Sequence, residues 1–203
     1  MNEYLFTYYM ARLIDEMKIM RIKDATLKMV VLNGYGGASI SKIAKEAGVA
    51  EGYLYRYYKS KSDLVNDLLY INVNSLADRI EELLDGKHTV WNIIENVIET
   101  IFKIAKNDPN RIKFLFVLMN DYNFNIQEQQ RERIFDLCRR LKEIGVSGND
   151  FRKDITEEEI YLIGVNYPIQ FINLRLKNYF KCSEFGDNEI KQVLQICINS
   201  LKN

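Results

Sequence analysis

Five residues between Ile43 and Leu54 restrict the fold of this chain more than any other feature. Ile43 and Ala44 supply the buried face of one helix, and Ala44 is small enough for a second helix to cross closely. Gly48 falls where the backbone must take φ > 0 to turn, and Val49 and Leu54 point back inward to lock the pair. The run around them, Ser39 to Lys61, reads as a helix, a sharp glycine turn and a second short helix crowded with tyrosine and basic side chains. An ordinary helical hairpin has no need of a small residue, a glycine and two apolar locks at those offsets. The pattern is that of a helix-turn-helix, whose second helix enters the DNA major groove.

The rest of the chain agrees with helices. Its 203 residues are enough to bury a substantial core in one or two domains. Only Pro109 and Pro168 are prolines, and apolar residues recur with a 3.6-residue period rather than alternating, so the expected fold class is all-α. No charged-then-apolar leader opens the chain and no apolar run reaches spanning length, so a cytoplasmic location away from membranes is expected. Cys138, Cys182 and Cys197 are scattered and lack a CxxC pair, which fits buried thiols in a reducing compartment, with no metal site.

Net charge is zero, yet residues 18 to 61 hold nine basic against three acidic side chains, a net of +6. The remainder must then sum to −6. A basic head on an acidic body is the footprint of a protein that meets phosphate with one end.

With these residues in view, the segment 22 to 61 resembles the DNA-binding domain of tetracycline-repressor-like (TetR) regulators. Ile22, Ala25, Met29, Val30 and Gly34 match the first helix of that family and its glycine stop. Ser39, Ile43, Ala44, Ala47, Gly48, Val49, Gly52, Leu54, Tyr55, Tyr58 and Lys61 match the rest. Three positions depart from it: Ala50 stands where serine is usual, Tyr57 where histidine is common and Tyr58 where phenylalanine is common. The missing hydroxyl at Ala50 removes one helix cap or phosphate contact. The expected layout is therefore a three-helix, homeodomain-like DNA-binding domain over residues 1–65, then a helical effector-binding and dimerisation domain over residues 66–203.

Candidate DNA contacts follow residue by residue. Ser39 caps the second helix and can face a phosphate, with Lys42 beside it. Ala50, Glu51, Gly52 and Tyr53 open the recognition helix, where side chains lie nearest the base edges. Gly52 lets the backbone approach the groove, and Tyr53 can stack on a thymine methyl or reach a phosphate. Glu51 is either a partner of the helix dipole or an acceptor for a cytosine amino group. Tyr55, Tyr57 and Lys61 are phosphate contacts by chemistry and by resemblance. Ser60 to Asp63 reads as a capping box opening a fourth helix, which the two domains share as a hinge.

In the body, Tyr161 to Leu174 carries no charge and is apolar on two faces, so it needs two partners, its own domain and a second subunit. Ile160, Ile163, Gly164, Tyr167, Phe171 and Leu174 form one stripe, and Val193, Leu194, Cys197 and Leu201 belong to a stripe on the last helix. The resembled family dimerises through its last two helices, so these residues are the expected homodimer interface, kinked at Pro168. A twofold pair of recognition helices reads a palindromic double-stranded operator with half-sites about 34–36 Å apart. The resemblance also implies an apolar pocket for a small-molecule effector, and Phe102, Phe114, Met119, Tyr122, Phe135 and Tyr161 are its candidate lining.

An enzyme is disfavoured: the single histidine, His88, has no nucleophile or metal partner at useful spacing, and Gly34 to Gly37 lacks the lysine of a phosphate loop. No catalytic residue, cofactor or metal is expected. The reading is a dimeric, ligand-released transcriptional regulator, most readily a repressor; the alternative is a helical DNA-binding or protein-interaction adaptor without an effector. Residues 1–17, too apolar for a basic arm, either extend the first helix, pack on the body or precede a start at Met10.

Overall fold

A computed structural model of the chain describes residues 3–203, with side chains for Met10 and from Arg12 onward. The fold is all-α. Its helices are α1 (Glu3–Gly37), α2 (Ile40–Ala47), α3 (Glu51–Leu54), α4 (Lys61–Asp85), α5 (Val90–Asn107), α6 (Pro109–Asn120), α7 (Glu128–Ser147), α8 (Glu157–Tyr161), α9 (Tyr167–Leu176) and α10 (Asp187–Leu201). Among the described residues the only β-type pairing is an isolated bridge between Phe151 and Lys202.

The chain condenses into two compact units. One runs to Leu69 and includes Val117–Asn125, and the other comprises Tyr70–Phe116 and Ile126–Asn203. The division falls within α4. In the first unit α1 begins at Glu3, so residues 3–17 extend the first helix. Its regular course breaks at Gly34, whose φ of 72° and ψ of 168° suit glycine alone.

In the second unit α5 buries Val90, Ile93, Ile94, Val97, Ile98, Ile101, Phe102 and Ala105, a stripe wide enough to face several helices at once. Around it lie α7, α9 and α10. Gly145 sits inside α7, and the Phe151 ring lies where its side chain would be: an added Cβ would come within 2.3 Å of that ring. Trp91 meets the same ring edge-on and donates its indole N–H to Asp150 at 2.8 Å.

Between α8 and α9, Leu162–Asn166 forms a single π-helical turn. The Tyr167 N–H bonds back to the Leu162 carbonyl, five residues away. Pro168, with no N–H to donate, follows immediately, where the helix takes in one extra residue per turn. The Ile163 carbonyl, which an α-helical Tyr167 N–H would have satisfied, instead accepts the Cys197 thiol at 3.2 Å.

Candidate nucleic-acid interface

The helix-turn-helix is built by three local devices and one core. Ser39 caps α2, its hydroxyl accepting the Lys42 N–H at 3.3 Å. At the other end Gly48 adopts φ 65°, ψ 41°. Its N–H bonds to the Lys45 carbonyl and that of Val49 to the Ala44 carbonyl, the paired bonds of a Schellman motif. At the start of α4 the Ser60 hydroxyl accepts the Asp63 N–H, while Asp63 accepts from Lys59. Ile22, Ala25, Ile43, Ala44, Ala47, Leu54 and Leu64 form the buried core beneath, with Val49, Tyr53 and Tyr58 packed against it.

This core decides what faces outward. Ser39, Lys42, Ala50, Glu51, Gly52, Tyr55 and Tyr57 are exposed. Ala50 begins α3 without a side-chain cap, as its lost hydroxyl implies. A Cβ added at Gly52 would meet nothing within 4 Å, so nothing inside the chain requires a glycine there. Tyr53 is half-buried and differs from its neighbours: its hydroxyl donates to Asp15 Oδ1 at 2.8 Å, and that of Tyr57 to Asp15 Oδ2 at 3.4 Å. Desolvation and these bonds push the Tyr53 phenol well above its ordinary range, and the Tyr53 bond in turn holds the Asp15 carboxyl low. Tyr58 donates to Asp67, and burial followed by that bond raises its phenol too. Lys61 is half-buried, its ammonium donating to the Tyr35 carbonyl at 2.7 Å and lying 4.2 Å from the Tyr35 ring centre. Sequence spacing pointed to the tyrosines but not to Asp15, which lies 38 residues from Tyr53 and reaches it only through the extension of α1.

The proposed effector lining is not brought together. Phe102 and Phe114 are wholly buried, Tyr122 is fully exposed and Phe135 is about half exposed. Met119 and Tyr122 belong to the first unit, the other four to the second. An apolar cavity of about 120 Å³ lies elsewhere in the second unit, walled by α4, α5, α7, α8 and the π-helical turn. Of the six candidates only Tyr161 lines it, alongside aliphatic residues such as Val73, Ile94, Ile134 and Cys138. Phe102 and Phe114 fill space in the core, Tyr122 and Phe135 face outward, and the void forms where small and branched side chains meet around Gly164.

The expected interface stripes also need correction. Ile160, Gly164, Val193, Cys197 and Leu201 are buried within the chain itself. Ile163, Tyr167, Phe171 and Leu194 are half-buried, and only Leu174 of that set is exposed. The reason is that α9 and the π-helical turn spend one face on α5 and α10. Exposed apolar side chains remain at Leu162, Leu174 and Ile196. Among the described residues no helix is long and apolar enough to cross a membrane, and no group of acids, thiols or imidazoles could hold a metal ion.

Known proteins place this architecture. The family model for bacterial regulatory proteins of the tetR family matches residues 22–68. The fatty acid metabolism regulator protein of Bacillus subtilis is 31% identical over 115 residues, which is 57% of this chain and 59% of that protein. The chain thus spans about three-fifths of the length of that curated relative. A TetR family transcription regulator from Marinobacter aquaeolei shares the fold with a TM-score of 0.76 at 19% identity, covering 95% of this chain and 99% of the other. FadR from Bacillus subtilis, solved in complex with stearoyl-CoA, shares it with a TM-score of 0.65 at 22% identity, covering 90% and 98%. The helix-turn-helix core and its Schellman turn coincide with the matched stretch, so residues 22–68 are similar to the DNA-binding part of the tetR family of bacterial regulatory proteins.

Proposed function

We propose that this protein is a dimeric, sequence-specific DNA-binding transcriptional regulator, a repressor released by a small apolar or aromatic ligand, working in the cytoplasm. Residues 1–65 serve as the DNA-binding domain and residues 66–203 as the effector and dimerisation domain. The observation that carries the reading is the outward set on a rigid frame: Lys42, Glu51 and Gly52 stand exposed on helices, and Tyr55 and Tyr57 on the turn after α3, over a core locked by Leu54, Ala44 and Val49. Lys61, already seated on Tyr35, would reach phosphate only by giving up or sharing that carbonyl.

The test is binding to the DNA upstream of its own gene, read against random duplex across a salt series. A specificity ratio of about 10³ that persists as salt rises is expected, with a steep salt dependence from phosphate contacts. Equal binding to both duplexes would leave a nonspecific coater.

The cavity supports the ligand arm. Its volume is near the roughly 150 Å³ known to admit benzene, and below the roughly 300–1,000 Å³ typical of drug-sized sites, so a larger ligand must part its walls. A larger, more polar recess of about 440 Å³ shares Val73, Ala77 and Ile134 with it. There Arg133 of α7 grips Glu81 of α4 through two bonds of 2.9 Å and also pairs with Asp78. With two acids on one guanidinium, the recess suits an uncharged or cationic polar end. Parting α4 from α7 would strain this clamp and shift α4, the helix that continues from the DNA-binding domain. A Gly164→Ala variant adds a methyl where nothing lies within 4 Å. It should retain DNA binding yet lose the ligand-induced rise in melting temperature shown by the unaltered chain.

The small cavity also favours a second reading, an adaptor without an effector. A screen of apolar compounds that never raises the melting temperature, with operator selectivity intact, would decide for it.

A further inference from the structure

The recognition helix already holds an anion. The Asp15 carboxylate, on the N-terminal extension of α1, accepts a hydrogen bond from each of two phenols, Tyr53 at 2.8 Å and Tyr57 at 3.4 Å. The two hydroxyls are themselves 3.5 Å apart and their ring centres 5.3 Å. Cations complete the setting: the Lys18 ammonium lies 5.0 Å from the Tyr53 ring centre, and the Arg56 guanidinium 5.5 Å from Tyr53 and 6.0 Å from Tyr57. Two convergent hydroxyl donors flanked by a lysine and an arginine make the donor set that a DNA phosphate would seek. Within the free protein that set is turned on a carboxylate of the same chain. The Tyr53 hydrogen bond, then Lys18, Tyr57 and Arg56, hold the Asp15 carboxyl below its ordinary range, which favours the charged form.

We propose that Asp15 is an intramolecular stand-in for DNA phosphate, a brake that a duplex must displace before Tyr53 and Tyr57 can serve the interface. The inference rests on the DNA-binding reading. Its physical basis is competition: two oxyanions cannot share the same pair of donors, and an uncompensated carboxylate at the interface repels the phosphate backbone. Both effects weaken binding to any duplex. Every duplex that uses these donors meets the same displacement cost, so Asp15 lowers affinity for operator and random DNA by a similar factor.

The experiment compares the full chain with Asp15→Asn and Asp15→Ala by fluorescence anisotropy, on random duplex and on the DNA upstream of its own gene. Both variants should bind random duplex about five- to tenfold more tightly at low salt, an exchange typical of one exposed charge-assisted bond, and the upstream DNA should gain by a similar factor. The same substitutions are then made in a Tyr53→Phe, Tyr57→Phe background. There Asp15→Asn should recover only a small, salt-screened gain, because no donors are left to release. Binding by the unaltered chain with no gain, or a loss, in both Asp15 variants overturns the brake and makes Asp15 a support for the tyrosines. An equal gain with and without the phenols overturns the donor competition and leaves bare charge. Failure of every chain to bind either duplex would instead sink the DNA-binding reading, and the brake with it.

Discussion

The Cys197 thiol shows how one side chain can carry a local irregularity. It is wholly buried, and burial pushes its thiol up to about 12, so it stays protonated and donates to the carbonyl that the π-helical turn released. Cysteine is a weak donor, but a buried carbonyl without any partner costs about 1–3 kcal/mol. Cys197→Ala should therefore lower unfolding stability by about that amount, and Cys197→Ser, which keeps a donor, should recover much of it. Chemical denaturation of the three proteins checks this. Equal losses for serine and alanine would show that only the volume of sulfur matters. Cys138 is the other buried thiol, raised to about 11 chiefly by burial, and no frame of disulfides is built from this set.

At the scale of elements, the turn between α2 and α3 depends on one dihedral. Gly48 has open space around a prospective Cβ, the nearest atom being Arg21 Nη1 at 3.6 Å, so a side chain there meets no clash. What opposes it is φ 65°, which an L-residue adopts at a cost of about 1–2 kcal/mol. Gly48→Ala should destabilise the first unit by that margin, and thermal melting should show it without loss of helix content in the folded state. A cost near zero would mean that the turn can relax to another form. Gly145 illustrates the opposite case. Its backbone is helical, and only the Phe151 ring 2.3 Å from its prospective Cβ demands a glycine. Both residues look alike in the sequence, but a turn has local signals, whereas a ring packing from six residues away leaves no trace in the periodicity.

For the molecule as a whole, the proposed dimer must be built from surface that the fold leaves free. Leu162, Leu174 and Ile196 are exposed, while Ile160, Val193 and Leu201 are already buried. Sedimentation of the unaltered chain should give a dimer, and Leu162→Lys with Ile196→Lys should give a folded monomer whose binding to a two-half-site operator is greatly reduced. A dimer that survives both substitutions would place the interface elsewhere. The helix-turn-helix was legible in the chain because its determinants are local: caps, a glycine at positive φ and apolar locks lie within about twenty residues, and short-range sterics act identically in any context. The all-α class followed for the same reason, since a 3.6-residue period is a property of the sequence. Which apolar face is spent inside the chain, where a cavity is left and which acid meets Tyr53 depend on segments brought together across 34 residues at Cys197 and Ile163 and 38 at Asp15 and Tyr53. Those pairings are chosen by packing over the whole fold, so only the tertiary structure decided them.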